Sequence, residues 1–422
     1  MTGPGSVALR LPPTDRRTMV NRRSRRSAPD DALVEPRGSV TALGRVDALD
    51  GLRGLAFLGV FVGHAGLVPF TGTATISMYV FFALSGFLIT ALLVEEHDVS
   101  GTISIRNFFG RRIVRLAPAL GFFLLCWFAV DLAFGAHGWM TTVPGGGSGG
   151  GVSATVALEG IAGAFGYLTN WLTIGNLFSG YVPLGHLWSL AVEEQIYLIW
   201  TPILALLLAY SKRLASWVSS ALVLASLLEA SVLLAQHESL RVYMGTDTRA
   251  GAFLFGGMLA IARSRGVFVR IARGVTPDLV VVASLAALAW CFHPLSDSAF
   301  TSSTLLAWVT ATVAGATLVL GVTLRRGWFA RLISVGLLTY IGRRSYALYL
   351  WHYVWLTWLR AMGHTGAFVA FLASLACAEI SWRLVEKLAL RQRHRFAPPT
   401  LVATSVIPTS TAATAIAEVA LG

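Results

Sequence analysis

The stretch DALDGLRGLAFLGVFVGHAG, residues 47–66, is apolar enough to cross a lipid bilayer, yet it contains Asp47, Asp50, Arg53 and His64. A charged side chain near the centre of a membrane helix costs about 3 kcal/mol or more, so such residues normally face the inside of a helix bundle and serve a function. The stretch therefore predicts a membrane helix with one polar, functional face.

The composition of the whole chain fits this prediction. Of its 422 residues, 55% are hydrophobic and 13% are charged, and the charged share is about half that of a soluble domain. Long apolar blocks recur from residue 50 to residue 388, whereas a transmembrane β-barrel would show short alternating segments. We predict the fold class to be an all-α polytopic integral membrane protein, with about ten transmembrane helices and both termini cytoplasmic.

The basic connections between the apolar blocks set the predicted topology. Arginine-rich connections lie at 106–115, 211–213, 262–274, 324–331 and 390–395. Ten spans place all of them on the cytoplasmic side, as the positive-inside rule requires. The predicted spans are 51–70, 76–95, 117–135, 186–209, 214–236, 245–262, 278–293, 303–323, 335–358 and 365–386. Because topology explains the net charge of +12, no nucleic-acid partner is expected.

The sequence outside the spans predicts further parts. Residues 1–45 are polar and arginine-rich, so we expect a disordered basic cytoplasmic tail and no cleavable signal peptide. Residues 136–185 are predicted to form a long external section. Within it, 144–151 (PGGGSGGG) is predicted to be flexible and 152–172 to be interfacial or re-entrant, with an eleventh span as the open alternative. Residues 389–422 are predicted to be a cytoplasmic tail.

No cysteine or serine has the setting of a covalent nucleophile. Cys126, Cys291 and Cys377 lie in apolar segments without metal-ligand spacing, and we interpret them as packing residues. We expect no metal site. Ser85 lacks a G-x-S-x-G context, and together with Gly86 it fits the close packing of helices through small residues.

The polar residues of the first span share one helix face. Arg53 and His64 are eleven positions apart, which on an α-helix corresponds to three turns plus about 20°, and to about 16 Å along the axis. Asp50 lies within about 40° of the same line. This stripe must face the bundle interior or a water-filled passage. A structural alternative is an Asp–Arg pair together with a packing histidine.

Six motifs in order give the chain a family resemblance. The first is LDGLRGLA (49–56), whose Arg53 is followed by ten residues and then His64. The other five are FFALSGFLIT (81–90), RRIVRLAP (111–118), HLWSLAVEEQIYLIW (186–200), TDTRAGAFLFGGMLA (246–260) and IGRRSYALYLWH (341–352). Together they resemble the membrane acyltransferase-3 family of O-acyltransferases. The resemblance covers about residues 45–388.

The resemblance implies an acyltransferase membrane domain over residues 46–388, located in the inner (plasma) membrane. Its reaction would move an acyl group, acetyl or another short acyl, from acyl-CoA to a hydroxyl. The acceptor would be a cell-envelope glycan, a glycolipid or a macrolide-type metabolite. Acyl-CoA is then a donor substrate, and no bound cofactor is expected. Since no nucleophile stands out, direct transfer is preferred to an acyl-enzyme route.

That reaction needs a base for the hydroxyl and cations for the phosphates of coenzyme A. His64 is the natural base, because neutral imidazole accepts a proton near pH 7. Arg53 could orient the donor or bind phosphate with its planar fork. Arg111, Arg112 and Arg115 lie where the phosphates would arrive, and setting the membrane topology is their alternative role.

The fourth motif predicts a polar stripe on a helix. His186, Ser189, Glu193 and Tyr197 follow one another at spacings of three, four and four residues, so they lie on one side of a helix. Glu194 points about 100° away from this stripe. It is the weaker structural candidate, although the family motif contains both glutamates.

A carboxylate in this stripe could position His64, stabilise its imidazolium or bind the acceptor. A structural Glu–His or Glu–Arg pair is the alternative. The predicted catalytic residues are His64, Arg53, Glu193 and Glu194.

The last two motifs add candidate binding residues. Arg249 could pair with Glu193 or contact an anionic acceptor, unless Asp247 neutralises it. Ser345, Tyr349 and His352 share a helix face and could line the same cavity. The predicted substrate-binding residues are Asp50, Arg111, Arg112, Arg115, His186, Ser189, Arg249, Ser345, Tyr349 and His352.

Two other functions are compatible with the same residues. A secondary transporter would use the intramembrane Arg, His and Glu side chains as a proton relay, although no internal repeat is visible. A non-catalytic glycan-export protein of the same family is the second alternative. The acceptor and the acyl length stay open.

Overall fold

The computed structural model describes most of the predicted membrane domain. The described residues are 46–68, 72–134, 154–178, 184–270, 272, 275–296, 302–324, 327–361 and 366–396. The predicted N-terminal tail, the glycine-rich run 144–151 and the end of the chain after residue 396 lie outside them. Within the described part the secondary structure is helical throughout and contains no strand, which confirms the all-α prediction.

The helices follow the apolar blocks of the sequence. The first eight are α1 (Asp47–Ala65), α2 (Gly72–Ser100), α3 (Ile105–Phe134), α4 (Ala154–Phe165), α5 (Thr169–Ile174), α6 (Trp188–Tyr210), α7 (Lys212–Ala235) and α8 (Ser239–Met244). The next eight are α9 (Thr246–Ser264), α10 (Thr276–Ser296), α11 (Ser302–Leu324), α12 (Trp328–Ile333), α13 (Gly336–Arg343), α14 (Ser345–Ala361), α15 (Ala367–Ser381) and α16 (Lys387–Leu390). Short helical turns occur at Gly185–Leu187, Trp382–Glu386 and Arg393–Phe396.

Eight of the described helical segments are long and apolar enough to cross a membrane. They are Asp47–Ala65, Gly72–Ser100, Ile105–Ala133, Gly185–Tyr210, Lys212–Ala235, Thr276–Leu295, Ser303–Leu324 and Ala367–Leu390. Two predicted spans fall outside this set. Helix α9 carries three charged residues, Asp247, Arg249 and Arg263, and α14 has only 17 residues. The count of ten spans and the orientation of the termini therefore stay predictions.

One predicted span is divided in the structure. Residues 335–358 were expected to form one helix, but α13 ends at Arg343 and α14 begins at Ser345. The two arginines at the break are held in different directions. Arg343 binds the carboxylate of Asp50, whereas Nε of Arg344 donates to Glu379 at 2.7 Å. These two ion pairs fix the break.

The external section contains two short helices instead of a span. Helix α4 has 12 residues and α5 has six, and the bend between them includes Tyr167 with a φ of 54°. A helix needs about 20 residues to cross the hydrocarbon core. The described residues 154–172 therefore contain no single helix of that length, and whether this segment is interfacial, re-entrant or an eleventh span stays a prediction.

The helix ends that the sequence assigns to one side of the membrane meet in the structure. Asp50 near the start of α1 pairs with Arg343 at the end of α13 at 3.2 Å. Asp98 near the end of α2 pairs with Lys212 at the start of α7 at 2.6 Å. The start of α3 packs against the segment that follows α16. The basic connections at 106–115, 211–213 and 390–395 thus lie at the same end of the bundle.

Helix α2 runs through the centre of the bundle, and small residues let its neighbours approach. A Cβ atom on Gly86 would overlap the backbone carbonyl of Phe253 on α9, and a Cβ on Gly256 would overlap the carbonyl of Ala83. The two backbones therefore touch at these glycines. This confirms the interpretation of Gly86 as a helix-packing residue.

We expect Gly86→Ala to destabilise the protein by about 1–3 kcal/mol, because the added methyl group must push α9 away from α2. Thermal unfolding in detergent measures the loss. Gly121→Ala on α3 is the control, since no atom lies within 4 Å of a Cβ at that position. Equal melting temperatures for the two variants would contradict the packing argument.

Candidate active site

Two histidines from distant parts of the chain form a direct pair. His64 lies in the last turn of α1 and His352 in the middle of α14. Nδ1 of His64 is 2.9 Å from Nε2 of His352, and the ring planes differ by only 12°. The side chain of His352 is fully buried, with the rings of Phe57 and Phe61 beside it. The pair therefore has a dry inner side.

The hydrogen-bond partners assign the tautomers of this pair. Nδ1 of His352 is 2.7 Å from the carbonyl oxygen of Tyr349, which can only accept, so this nitrogen carries the proton. Nε2 of a neutral His352 then has a lone pair and accepts from Nδ1 of His64. His64 is left with its lone pair on Nε2. This arrangement gives His64 one defined proton-accepting atom.

Three more predicted residues join this cluster. The hydroxyl of Tyr349 donates to the carbonyl of His186 at 2.5 Å. The hydroxyl of Ser189 lies 2.5 Å from the hydroxyl of Tyr349. The ring of His186 lies edge-on to that of His352, with centroids 5.8 Å apart. The structure thus brings together five of the predicted site residues, His64, His186, Ser189, Tyr349 and His352.

Ser345 is the predicted member that lies apart from the cluster. It is the first residue of α14 and is buried. Its position seven residues before His352 puts it about 10 Å away along the helix axis. Ser345 shares the helix face of Tyr349 and His352 as predicted, but its distance along the axis separates it from the histidines.

Glu193 faces α2 and not the histidines. Its carboxylate accepts from Ser85 and, at 2.5 Å, from the hydroxyl of Tyr197. In the described part of the chain its hydrogen bonds go to these two hydroxyls, and none joins it to His64. The hypothesis that a carboxylate of this motif positions His64 is therefore corrected, because His352 occupies that place.

Glu194 forms the structural Glu–Arg pair that the sequence left as an alternative. Its carboxylate is 2.5 Å from Nη2 of Arg112, and the guanidinium of Arg112 lies over the ring of Tyr197 at 3.6 Å. The pair joins α3 to α6. Arg112 therefore links two helices of the bundle, in addition to any contact with phosphate.

Arg249 lies in a box of aromatic rings. Its side chain is 1% exposed, and its guanidinium carbon is between 4.7 and 5.8 Å from four ring centroids. The rings are those of Tyr79, Trp188, Tyr243 and Trp308. Its Nε donates to the carbonyl of Tyr243 at 2.7 Å, and its two other nitrogens have no hydrogen-bond partner among the described residues.

The suggested ionic partners of Arg249 are engaged elsewhere. Asp247 binds Arg241 through both carboxylate oxygens, at 2.6 and 2.5 Å. Glu193 accepts from Ser85 and from Tyr197 on its own helix. The suggested pairs of Arg249 with Asp247 and with Glu193 are therefore wrong. Cation–π attraction stabilises the buried charge instead.

The predicted phosphate-binding arginines gather at the other end of α1. Arg115 is close enough to Arg53 and Arg112 for their charges to interact. Arg111 donates to Glu96 at 3.1 Å. Asp50 binds Arg343, so the suggested pairing of Asp50 with Arg53 is replaced by one to a distant helix.

Two residues beside His64 were not singled out from the sequence. The ring of Tyr353 lies between those of His64 and His186, at 5.3 and 5.0 Å. Arg360 donates to the carbonyl of His64 at 2.6 Å and lines a small cavity together with Ala65. Tyr353 directly follows the sixth motif, which was a usable signal. Arg360 carried no comparable signal.

The chain matches one protein family over most of its length. Residues 46–383 match the family described as an acyltransferase domain. The match covers most of the chain, so this protein belongs to the acyltransferase-3 family of membrane proteins, and the resemblance drawn from the six motifs is confirmed.

The curated relatives carry the name of one activity. The Staphylococcus aureus (strain COL) protein named "Putative O-acetyltransferase SACOL0978" is 30% identical over 369 residues, which cover 81% of this chain and 56% of the relative. O-acetyltransferase OatA of Staphylococcus aureus (strain NCTC 8325) is 29% identical over 364 residues, with 80% and 56% covered. The chain thus spans a little over half the length of these relatives. No solved structure matches it significantly.

The assigned tautomers make His352 a positioning residue for His64. We expect His352→Leu to lower kcat by up to about 100-fold, because the imidazole of His64 loses the partner that orients it. The KM for the acyl donor should stay unchanged. His352→Gln should retain more activity, since its amide oxygen can accept from Nδ1 of His64. Steady-state kinetics in detergent separate the two parameters, and equal kcat values for both variants would contradict this role.

Proposed function

We propose that this chain transfers a short acyl group, acetyl first among them, from acyl-CoA to a hydroxyl group. The observation that carries the proposal is the lone pair on Nε2 of His64, which its hydrogen bond to His352 leaves available. The O-acetyltransferase names of the relatives support acetyl as the group.

The proposed donor site lies at the arginine-rich end of α1. Phosphate groups are bound well by guanidinium forks, and Arg53 and Arg115 are close enough there for their charges to interact. From Arg53 to His64 the helix rises about 16 Å. A thioester on the long pantetheine arm of coenzyme A would lie along this face with its carbonyl near His64.

The proposed chemistry is direct acyl transfer. Nε2 of His64 takes the proton of the acceptor hydroxyl while the oxygen attacks the thioester carbonyl. The carbon–sulfur bond then breaks, and the coenzyme leaves as a thiolate that receives the proton from the His64 imidazolium. The products are an ester and free coenzyme A, so protons and electrons balance without any further reactant.

The acceptor would approach from the opposite end of α1. Arg360 and Ala65 lie beside His64 on that side and line the small cavity there. We propose a hydroxyl of a cell-envelope glycan, a glycolipid or a macrolide-type metabolite as the acceptor. The eight membrane-length helices support a site within the plasma membrane, between a cytoplasmic donor and an acceptor on the other side.

The first test removes the base. We expect His64→Ala to lower acyl transfer by about 10²–10⁴-fold, with normal yield of monodisperse protein. The assay follows labelled acetyl from acetyl-CoA to extracted envelope material, per folded molecule. His237→Asn, a substitution in the exposed turn after α7, is the control. Retained turnover in His64→Ala, or solute accumulation in proteoliposomes without donor consumption, would contradict the proposal.

The second test concerns the donor phosphates. We expect Arg115→Ala to raise the KM for acetyl-CoA about tenfold or more, because one charge-assisted contact to a phosphate is lost. The exposed Arg213→Ala at the same end of the bundle is the control. Arg112→Ala should in addition reduce the yield of folded protein, since it leaves Glu194 without its partner. If the KM for acetyl-CoA is unchanged in Arg115→Ala, phosphate binding by Arg115 is contradicted, and setting the membrane topology is its only role.

A further inference from the structure

The segment after α16 folds back onto the start of α3. The carbonyl of Phe396 accepts a hydrogen bond from Nη1 of Arg111 at 2.8 Å. The ring of Phe396 occupies the space beside Gly110, where a Cβ atom would overlap it. Backbone and side chain thus anchor residues 391–396 against α3. From the sequence, residues 391–396 are predicted to belong to the cytoplasmic tail 389–422.

This anchoring turns one of three arginines of the segment inward. Arg391 and Arg395 are exposed, whereas Arg393 is partly buried. Burial, and then the neighbouring charge of Arg111, lowers the pKa of Arg393. Arg393 also lies close enough to Arg115 for their charges to interact. The fold therefore brings a further cation to the arginines of α1 and α3.

The carboxylates around this group are bound by other arginines. Asp50 binds Arg343, Glu96 binds Arg111, and Glu194 binds Arg112. Glu386 lies near Arg115 and accepts from Ser381. Among the described residues nearby, Glu386 is thus the one carboxylate that is not paired with another arginine. The three positive charges of Arg53, Arg115 and Arg393 outnumber it. Like charges held together disfavour one another, and a bound polyanion relieves this repulsion.

We propose that the inward-facing residues Arg393 and Phe396 form one wall of the donor site and that Arg393 binds a phosphate group of acyl-CoA. The inference rests on the proposed function, because it assigns the donor phosphates to the same end of α1. A lipid headgroup offers the same phosphate chemistry. The partly buried position of Arg393, with its charge acting on Arg115, favours the coenzyme.

The first experiment measures binding directly. Coenzyme A is titrated into the purified full chain, in neutral detergent without anionic lipid, by isothermal titration calorimetry. We expect Arg393→Ala to weaken binding about tenfold or more. The exposed Arg391→Ala and Arg395→Ala serve as matched controls and should bind as the wild type does. Equal affinity of all three variants would overturn the proposal.

A second variant tests the wall without changing any charge. Gly110→Ala should displace Phe396 and with it Arg393, so the KM for acetyl-CoA should rise at least several-fold while kcat stays near the wild-type value. Gly121→Ala on the same helix has open space and is the control. If Gly110→Ala fails to fold, Phe396→Ala removes the anchor without overpacking. Unchanged donor KM in the folded anchor variant would count against the proposed wall.

The outcomes separate this inference from the proposed function. A wild-type chain that does not bind coenzyme A would remove the proposed donor itself. Binding by the wild type together with unchanged binding by Arg393→Ala would remove only the role of Arg393. If added phosphatidylglycerol vesicles bind the wild type but not Arg393→Ala, while coenzyme A binds both equally, the site is a lipid site and the proposal is wrong.

Discussion

Inside a bilayer, a buried polar side chain must find its partner within the protein, because no bulk water is present to replace it. This constraint decides which helices of the bundle touch. His64 on α1 is held by His352 on α14, and Glu193 on α6 is held by Ser85 on α2. Each pair joins elements that are more than a hundred residues apart in the chain. The polar pairs thus fix the neighbours, and the apolar surfaces between them then pack.

The same constraint leads to the chemistry. A histidine whose Nδ1 is committed to a partner presents Nε2 as the proton acceptor, so the interaction that joins the two helices also orients the proposed base. At the other end of the bundle the carboxylates are bound by arginines that join helices. The positive charges of Arg53, Arg115 and Arg393 are therefore not fully neutralised by carboxylates at that end. This excess of positive charge is the physical argument for an anionic donor.

The sequence predicted what depends on local periodicity. Helix class, the shared face of Arg53 and His64, and the shared face of Tyr349 and His352 all follow from 3.6 residues per turn. It did not predict what depends on distant contacts. The aromatic box of Arg249 takes rings from α2, α6 and α11 and from the end of α8, and the space beside Gly110 receives the ring of Phe396. Periodicity within one segment carries no information about such partners, which explains why carboxylates were proposed for His64 and Arg249.

The arrangement on α1 gives the proposed reaction a fixed length. A site assembled from two mobile loops would let the distance between phosphate and thioester vary, and each ångström of variation weakens the alignment that transfer needs. Here the first cation and the base lie on one continuous helix, so about 16 Å between them is set by the helical rise alone. Gly51 and Gly54 keep this helix in backbone contact with α12 and α13, because a Cβ at either position would overlap a neighbouring carbonyl. The packing of α1 therefore holds the proposed donor end and the proposed base at one separation, and in the proposed reaction the acyl group reaches His64 from the side of the arginines.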